Sequence, residues 1–394
     1  GPNRFLSQWL LHKPEGVNLT NFWNAEFNYG VGIIPSTLIT QGILGALAWL
    51  TFLGFFLYAG FKSIFFKGGE PFSKYLLISS FLVSLYLWSV IFFYVPGITI
   101  ITFAFFFTGL FLATLVEQKL LPVKTISFLN QPRISFLSIL FIVFLLIGSV
   151  SYGYFVVRNG LSSYYFERSV LAFNLGDLDK AETLMVQALQ TERNDMYYRS
   201  MSQLNITRLN QIAAQENTPI ETVRANFQRV LGSALDNARQ ALTIDDTNSL
   251  NWATIARVYQ VMVSLKIEGA YENAISSYNE AIKRSPHDPS LFLELARLEI
   301  ANGDNKKAKD YIAQSLKQKQ NYTEAIFLLS QIEVTEGNVN GAISSVESAT
   351  LLSPDDPLVF FRLGLLKYNK KDYKGAAKAF EQAVALNPVY ANAR

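Results

Sequence analysis

Gly303-Asp304-Asn305-Lys306-Lys307-Ala308, Gly337-Asn338-Val339-Asn340-Gly341-Ala342 and Lys371-Asp372-Tyr373-Lys374-Gly375-Ala376 are three versions of one line, each 34 residues after the last. Seven positions beyond each alanine stands a second small residue: Ser315, Ala349 and Ala383. Pro354 and Pro388 close their copies. Small residues seven apart on one helix face let a neighbouring helix approach closely, and a glycine before the helix supplies a left-handed turn. A proline ends the helix and sets the next connection. The pattern continues upstream in Gly269-Ala270-Tyr271 with Ala274, Tyr278, Ala281 and Pro286, and in Gly176-Asp177-Leu178 with Ala181, Met185 and Ala188. Ala234, Ala238 and Ala241 mark one more second helix, with a longer first helix over 194–215 before it. Six helical hairpins are predicted, at about 162–195, 196–248, 249–288, 289–322, 323–356 and 357–390.

A period of 34 with these small-residue anchors resembles the tetratricopeptide repeat (TPR). That resemblance implies an α-solenoid over 158–394, with its core between neighbouring repeats and a concave face for a protein or peptide partner. It also places positions 5 and 9 of each first helix on the groove: Leu293 and Arg297, Phe327 and Gln331, Phe361 and Leu365. The lysine/asparagine clamp that some members use on C-terminal carboxylates is absent. Two readings of these six residues stand side by side: a groove for an apolar or aromatic peptide, or packing against neighbouring helices.

Upstream of Arg158 the composition changes. Residues 1–157 carry eight Lys/Arg and four Asp/Glu, out of 34 and 31 in the whole chain. Four stretches are long and apolar enough to cross a bilayer, about 33–59, 75–95, 98–116 and 134–157, since a span takes about 20 helical residues. Lys62, Lys67 and Lys74 follow the first span, and Lys119, Lys124 and Arg133 follow the third, whereas the turn at Pro96-Gly97 has no charge. The excess of basic residues puts those two loops in the cytoplasm. Residues 1–32 and everything after Arg158 then fall on the outer side.

Residues 1–32 form a polar, aromatic loop containing Trp9, His12, Lys13, Pro14, Glu15 and Asn21-Phe22-Trp23-Asn24. It reads either as a surface loop resting on lipid headgroups or as an extracytoplasmic active-site loop. Gly1-Pro2-Asn3-Arg4-Phe5, the loop after it, and Thr40-Gln41-Gly42-Ile43-Leu44-Gly45 opening a span resemble the C-terminal part of the O-antigen ligase/polymerase family. The resemblance covers about residues 1–116 and implies transfer of a lipid-linked glycan outside the cytoplasmic membrane. The family keeps a His-Asn pair about eleven residues before its Gly-x-x-Gly, where this chain has Val31 and Gly32. Chemistry at such a site needs a cation for the leaving phosphates and a base for the acceptor hydroxyl. Arg4 suits the first role, since guanidinium binds phosphate bidentately. His12 suits the second by its ordinary pKa.

The rest of the sequence mostly excludes. Half the residues are hydrophobic, 14% aromatic and 16% charged, against roughly 25% charged in average soluble proteins, which rules out disorder. A net charge of +3 gives no case for nucleic acid. Zero cysteines and two histidines exclude disulfides and thiolate or histidine-rich metal sites; no metal and no cofactor are expected. Asp245-Asp246 and Asp355-Asp356 sit at inter-repeat turns, where helix capping accounts for them. Asn18-Leu19-Thr20, Asn205-Ile206-Thr207 and Asn321-Tyr322-Thr323 match the glycosylation triplet. The chain opens without Met or a signal-peptide pattern, and its ends read as cuts within a longer protein. The expected fold is therefore all-α, with four transmembrane helices followed by the solenoid. The favoured function is a multi-pass protein of the bacterial cytoplasmic membrane, ligase-like, whose outer TPR domain recruits partners in surface-polysaccharide assembly. A non-enzymatic membrane-anchored scaffold is the alternative. A third class, a signalling protein, has no kinase, nucleotide or metal motif behind it.

Overall fold

A computed structural model of the chain describes residues 4–65, 68, 70–121, 132–214 and 219–388, without the side chains of Arg4 and Ile134. Lys67, Lys124 and the last two positions of the expected final repeat, 389–390, lie outside them. The described residues are helical, with no strand among them. Two compact units divide the chain: Gly1–Trp9 with Glu26–Gly153, and Leu10–Ala25 with Tyr154–Arg394.

The first unit begins in α1 (Arg4–His12) and continues through α2 (Ile33–Thr40), α3 (Gly42–Ile64), α4 (Pro71–Phe93), α5 (Ile98–Glu117) and the start of α6 (Pro132–Asn174). Four helices are long and apolar enough to cross a membrane: Gly42–Ile64, Pro71–Phe93, Ile98–Glu117 and Ser135–Asn174. The expected first span, 33–59, is broken in two. Gly42 stands at φ +74°, a left-handed conformation that ends α2 and starts α3 on a new axis. Near the end of α3, Gly60 lies so close to the Phe81 ring that a Cβ there would sit 1.9 Å from it. That absence of side chain lets α3 and α4 meet. Phe56, Phe81 and Phe111 form the aromatic centre of this unit, with ring centroids 5.2–5.7 Å apart. Trp88 Nε1 donates to Thr108 Oγ1 at 2.9 Å, so the buried indole has its hydrogen-bond partner.

The second unit holds the repeats. After the end of α6 come α7 (Leu178–Thr191), α8 (Asp195–Ala213), α9 (Ile220–Ile244), α10 (Ser249–Ser264), α11 (Ala270–Arg284), α12 (Pro289–Asn302), α13 (Asn305–Gln318), α14 (Thr323–Thr335), α15 (Val339–Leu352), α16 (Pro357–Asn369) and α17 (Tyr373–Leu386). They pack as successive hairpins: α8 with α9, α10 with α11, α12 with α13, α14 with α15, and α16 with α17. The expected fourth span, 134–157, does not stop at Val157. No proline or left-handed glycine interrupts α6 before Asn174, and its last turns serve as the first helix of the first hairpin.

The small anchors act as the spacing implies. Ala181, Ala234, Ala274, Ala308 and Ala342 are all fully buried, one on each of five second helices. Serines on the facing helices use the close approach: Ser169 Oγ donates to the Ala181 carbonyl at 2.6 Å, and Ser202 Oγ to the Ala234 carbonyl at 2.9 Å. Gly176, Gly269, Gly303 and Gly337 precede second helices at φ between +73° and +87°. Beyond three of them, Asp177, Asp304 and Asn338 cap the helix by accepting from the amides of Lys180, Lys307 and Gly341, as N-cap side chains do. The last copy lacks the glycine, and Lys371 adopts the same left-handed turn at φ +69°.

Candidate functional site

The face formed by the first helices of the hairpins carries a cleft of about 530 Å³, lined by Gln203 and Ile206 of α8, Arg257, Gln260, Val261 and Ser264 of α10, and Glu294 and Arg297 of α12. Three consecutive repeats contribute to it. Behind Gln260, Tyr278 of α11 is fully buried and its hydroxyl donates to Gln260 Oε1 at 2.7 Å. Burial raises the Tyr278 phenol well above its ordinary pKa, so it stays a donor throughout the physiological range. Arg297 reaches Glu294 at 3.2 Å. Arg257 has no ion-pair partner among the described residues. The arrangement offers two guanidinium groups, one carboxylate and two amides on a preformed surface. It suits polar recognition of a peptide backbone or carboxylate and provides no nucleophile with an adjacent base.

The six groove positions read from the sequence fall into two groups. Leu293 is 2% exposed and packs with Ala296, Ile312, Tyr322 and Ala325. Phe327 is 8% exposed, packed with Val346, Val359 and Leu363 and covered by the Arg362 guanidinium at 5.5 Å. Both are consumed by the next hairpin, because position 5 of each first helix meets the helix that follows it. Phe361 and Leu365 are half-buried, Phe361 beside Phe380 at 5.7 Å. Arg297 and Gln331 are exposed. The groove is therefore polar where the cleft lies, and Arg297 alone of the six lines it. Arg257, Gln203 and Gln260 escaped the sequence reading because α8 and α10 belong to the two expanded repeats, whose register the 34-residue spacing does not set.

The two residues read as a cation and a base, Arg4 and His12, fall in different units. The backbone of Arg4 opens α1 and its side chain lies outside the described residues. His12 is exposed. The Gly42-Ile43-Leu44-Gly45 motif does open a helix. Ten residues before it, Gly32 has no room for a side chain: a Cβ would lie 2.0 Å from the Phe92 carbonyl oxygen. Among the described residues, no group of three or more His, Asp or Glu side chains could hold a metal ion.

Comparison with known proteins bears on the repeat region. Tetratricopeptide-repeat family models match residues 265–332 and 357–388. A human protein O-mannosyl-transferase, TMTC1, is 33% identical over 129 residues, which is 32% of this chain and 15% of the human protein. The TPR repeat-containing protein YpiA of Bacillus subtilis is 23% identical over 120 residues, 30% of this chain and 28% of that one. The chain thus matches 15% of the length of one relative and 28% of the other. Among solved structures, a TPR protein of Thermus thermophilus, TTC0263, is 17% identical with a TM-score of 0.41, covering 52% of this chain and 98% of its own. YrrB, described as a TPR protein with an unusual peptide-binding site, is 19% identical with a TM-score of 0.30, covering 53% and 95%. The chain carries tetratricopeptide repeats. Four apolar helices of membrane-spanning length come before them.

Proposed function

We propose that this chain is a membrane-held repeat scaffold, whose solenoid recruits a protein or peptide partner through the α8–α10–α12 cleft on the outer side of the bacterial cytoplasmic membrane. The observation that carries this reading is the cleft itself, where Arg257, Arg297, Glu294, Gln203 and Gln260 converge from three repeats. Solenoids of this kind work by presenting such surfaces. Surface-polysaccharide assembly is the setting that the ligase-like pattern of residues 1–116 suggests. The outer placement rests on Lys62, Lys74, Lys119 and Arg133, whose loops belong inside.

Photo-crosslinking in native membranes tests the recruitment. A benzophenone side chain at Gln203 should yield a discrete adduct that Arg257→Glu with Arg297→Glu abolishes. Equal adducts from the exposed α11 position Lys283, unaffected by the charge reversals, would refute it. Single cysteines test the side: Lys306→Cys should react with an impermeant thiol reagent in intact cells, and Glu70→Cys only after permeabilisation.

A second reading, glycan transfer, draws on the Gly42–Gly45 helix start and on the name of the human relative. Gly32 weighs against it, since the second position of the family's His-Asn pair is closed to a side chain by the Phe92 carbonyl, and Val31 stands exposed at the first. Transfer from a lipid-linked glycan by the whole protein, lost in His12→Ala or Arg4→Ala with normal membrane insertion, would favour the transferase over the scaffold.

A further inference from the structure

Residues Leu10–Ala25 belong to the same compact unit as the repeats, although some 270–300 residues separate them in sequence from the turns they touch. The segment makes a short 3-10 turn over Glu15–Leu19 and seats it on the edge of the solenoid where two inter-repeat turns lie side by side. Asn18 is fully buried there. Its Nδ2 donates to the His287 carbonyl at 2.8 Å and the Gln318 carbonyl at 3.0 Å. Gln318 is the last residue of α13, so its carbonyl has no partner within the helix and must find one elsewhere. One repeat earlier an asparagine of the solenoid itself serves the end of a second helix, where Asn251 Nδ2 donates to the carbonyls of Ala241 and Asp245. The corresponding third positions of α12 and α14 are Leu291 and Ala325, which have nothing to donate.

The rest of the seat is equally specific. Lys319 Nζ donates to the Asn18 carbonyl at 2.7 Å and to Asn321 Oδ1 at 2.8 Å. Its ammonium lies 5.5 Å from the centre of the Trp23 ring, which itself meets Tyr322 at 5.2 Å. Lys13, 4% exposed, donates to the Trp23 carbonyl at 2.8 Å and holds the two ends of the turn together. Desolvation lowers the pKa of both Lys13 and Lys319, consistent with the removal of each from water.

We propose that the turn from Glu15 to Trp23 is a built-in ligand of the solenoid, and that the edge formed by His287, Gln318, Lys319 and Tyr322 is a binding site for a peptide turn presenting an asparagine amide and, five residues on, an aromatic ring. Two carbonyls facing one point demand a group with two N–H donors, which a primary amide supplies and a carboxylate does not. Lys319 then reads the ligand's backbone. This edge is separate from the α8–α10–α12 cleft and stands whether or not that cleft recruits a partner.

Lysine footprinting of the full chain in lipid nanodiscs tests it, by reductive methylation followed by mass spectrometry with exposed Lys317 as the internal reference. In the wild type, Lys13 and Lys319 should be methylated more slowly than Lys317. Asn18→Asp keeps the shape but turns an oxygen toward both carbonyls, and should raise the two rates together by about tenfold or more while thermal unfolding of the repeats persists. Trp23→Ala, at the other end of the turn, should do the same. A synthetic peptide of residues 13–25 should slow Lys319 again in the Asn18→Asp protein, and the same peptide carrying aspartate should not. Wild-type rates equal to that of Lys317, continued shielding in both variants, or a peptide without effect would each overturn the proposal.

Discussion

The Lys319 ammonium donates to the carbonyl of Asn18 at 2.7 Å, joining two residues 301 positions apart. The bond is buried and charge-assisted, and such bonds are roughly twice as strong as neutral ones. It also leaves an unmet acceptor if the lysine is removed. Lys319→Met should therefore loosen residues 10–25 by about 1–3 kcal/mol, read as faster amide exchange over that segment. A double-mutant cycle with Asn18→Ala should show coupling of about 0.5–3 kcal/mol, because the two side chains serve one seat. Additive effects would mean that the lysine acts only within its own turn through Asn321.

Lys371 occupies a left-handed turn that glycine fills in the other copies, at φ +69° against +82° for Gly337 and +87° for Gly303. A non-glycine residue there is strained by about 1–2 kcal/mol, partly offset by the greater unfolded-state entropy of glycine. Lys371→Gly should raise the stability of the last hairpin by about 0.5–1 kcal/mol, and Gly337→Lys should lower that of its neighbour by a similar amount. Chemical denaturation followed by helical circular dichroism measures both. A loss on Lys371→Gly would show that the lysine side chain contributes more than its backbone costs.

The anchors make a sharper test of register. Ala308 and Ala342 are fully buried and Ala376 is 2% exposed. Each change to leucine should overpack a helix pair at a cost of about 1–3 kcal/mol. Ala377, one position on, is exposed. Ala377→Leu should stay within about 0.5 kcal/mol, and equal melting temperatures for Ala376→Leu and Ala377→Leu would put the packed face elsewhere.

These anchors were legible in the sequence because their 34-residue spacing repeats, and four apolar helices of membrane-spanning length were legible because a charge-free run of about 20 residues has few soluble uses. Other features depend on partners that no local pattern reveals. Leu293 and Phe327 stand at positions that a repeat alignment assigns to a groove, yet Tyr322 and Ala325 close over one and Val359 and Leu363 over the other. The break at Gly42 lies inside an apolar run whose hydropathy does not mark it; only the family resemblance put a helix start there. Asn18 announced itself only as part of a glycosylation triplet. Its place at the solenoid edge depends on carbonyls some 270–300 residues away, and backbone carbonyls have no sequence signature.

Gly32 links packing to function most directly. It precedes α2 in an extended conformation, so any residue satisfies its backbone, and what it lacks is space. A Cβ would fall 2.0 Å from the Phe92 carbonyl oxygen and 2.9 Å from that of Ile91. Both are backbone atoms near the end of α4, which cannot rotate away as a side chain would. Gly32→Ala should therefore displace α2 from α4 and lower the detergent melting temperature of the whole protein, at a cost of about 1–3 kcal/mol. Gly32→Asn, which places the ligase family's residue there, should cost at least as much and add a buried amide without a designed partner. Gly97→Ala is the matched control, since nothing lies within 4 Å of its Cβ position. If Gly32→Asn melts with the wild type while Gly97→Ala does too, the close approach of α2 and α4 is absent in the membrane, and the second position of the family's pair is open to a side chain after all.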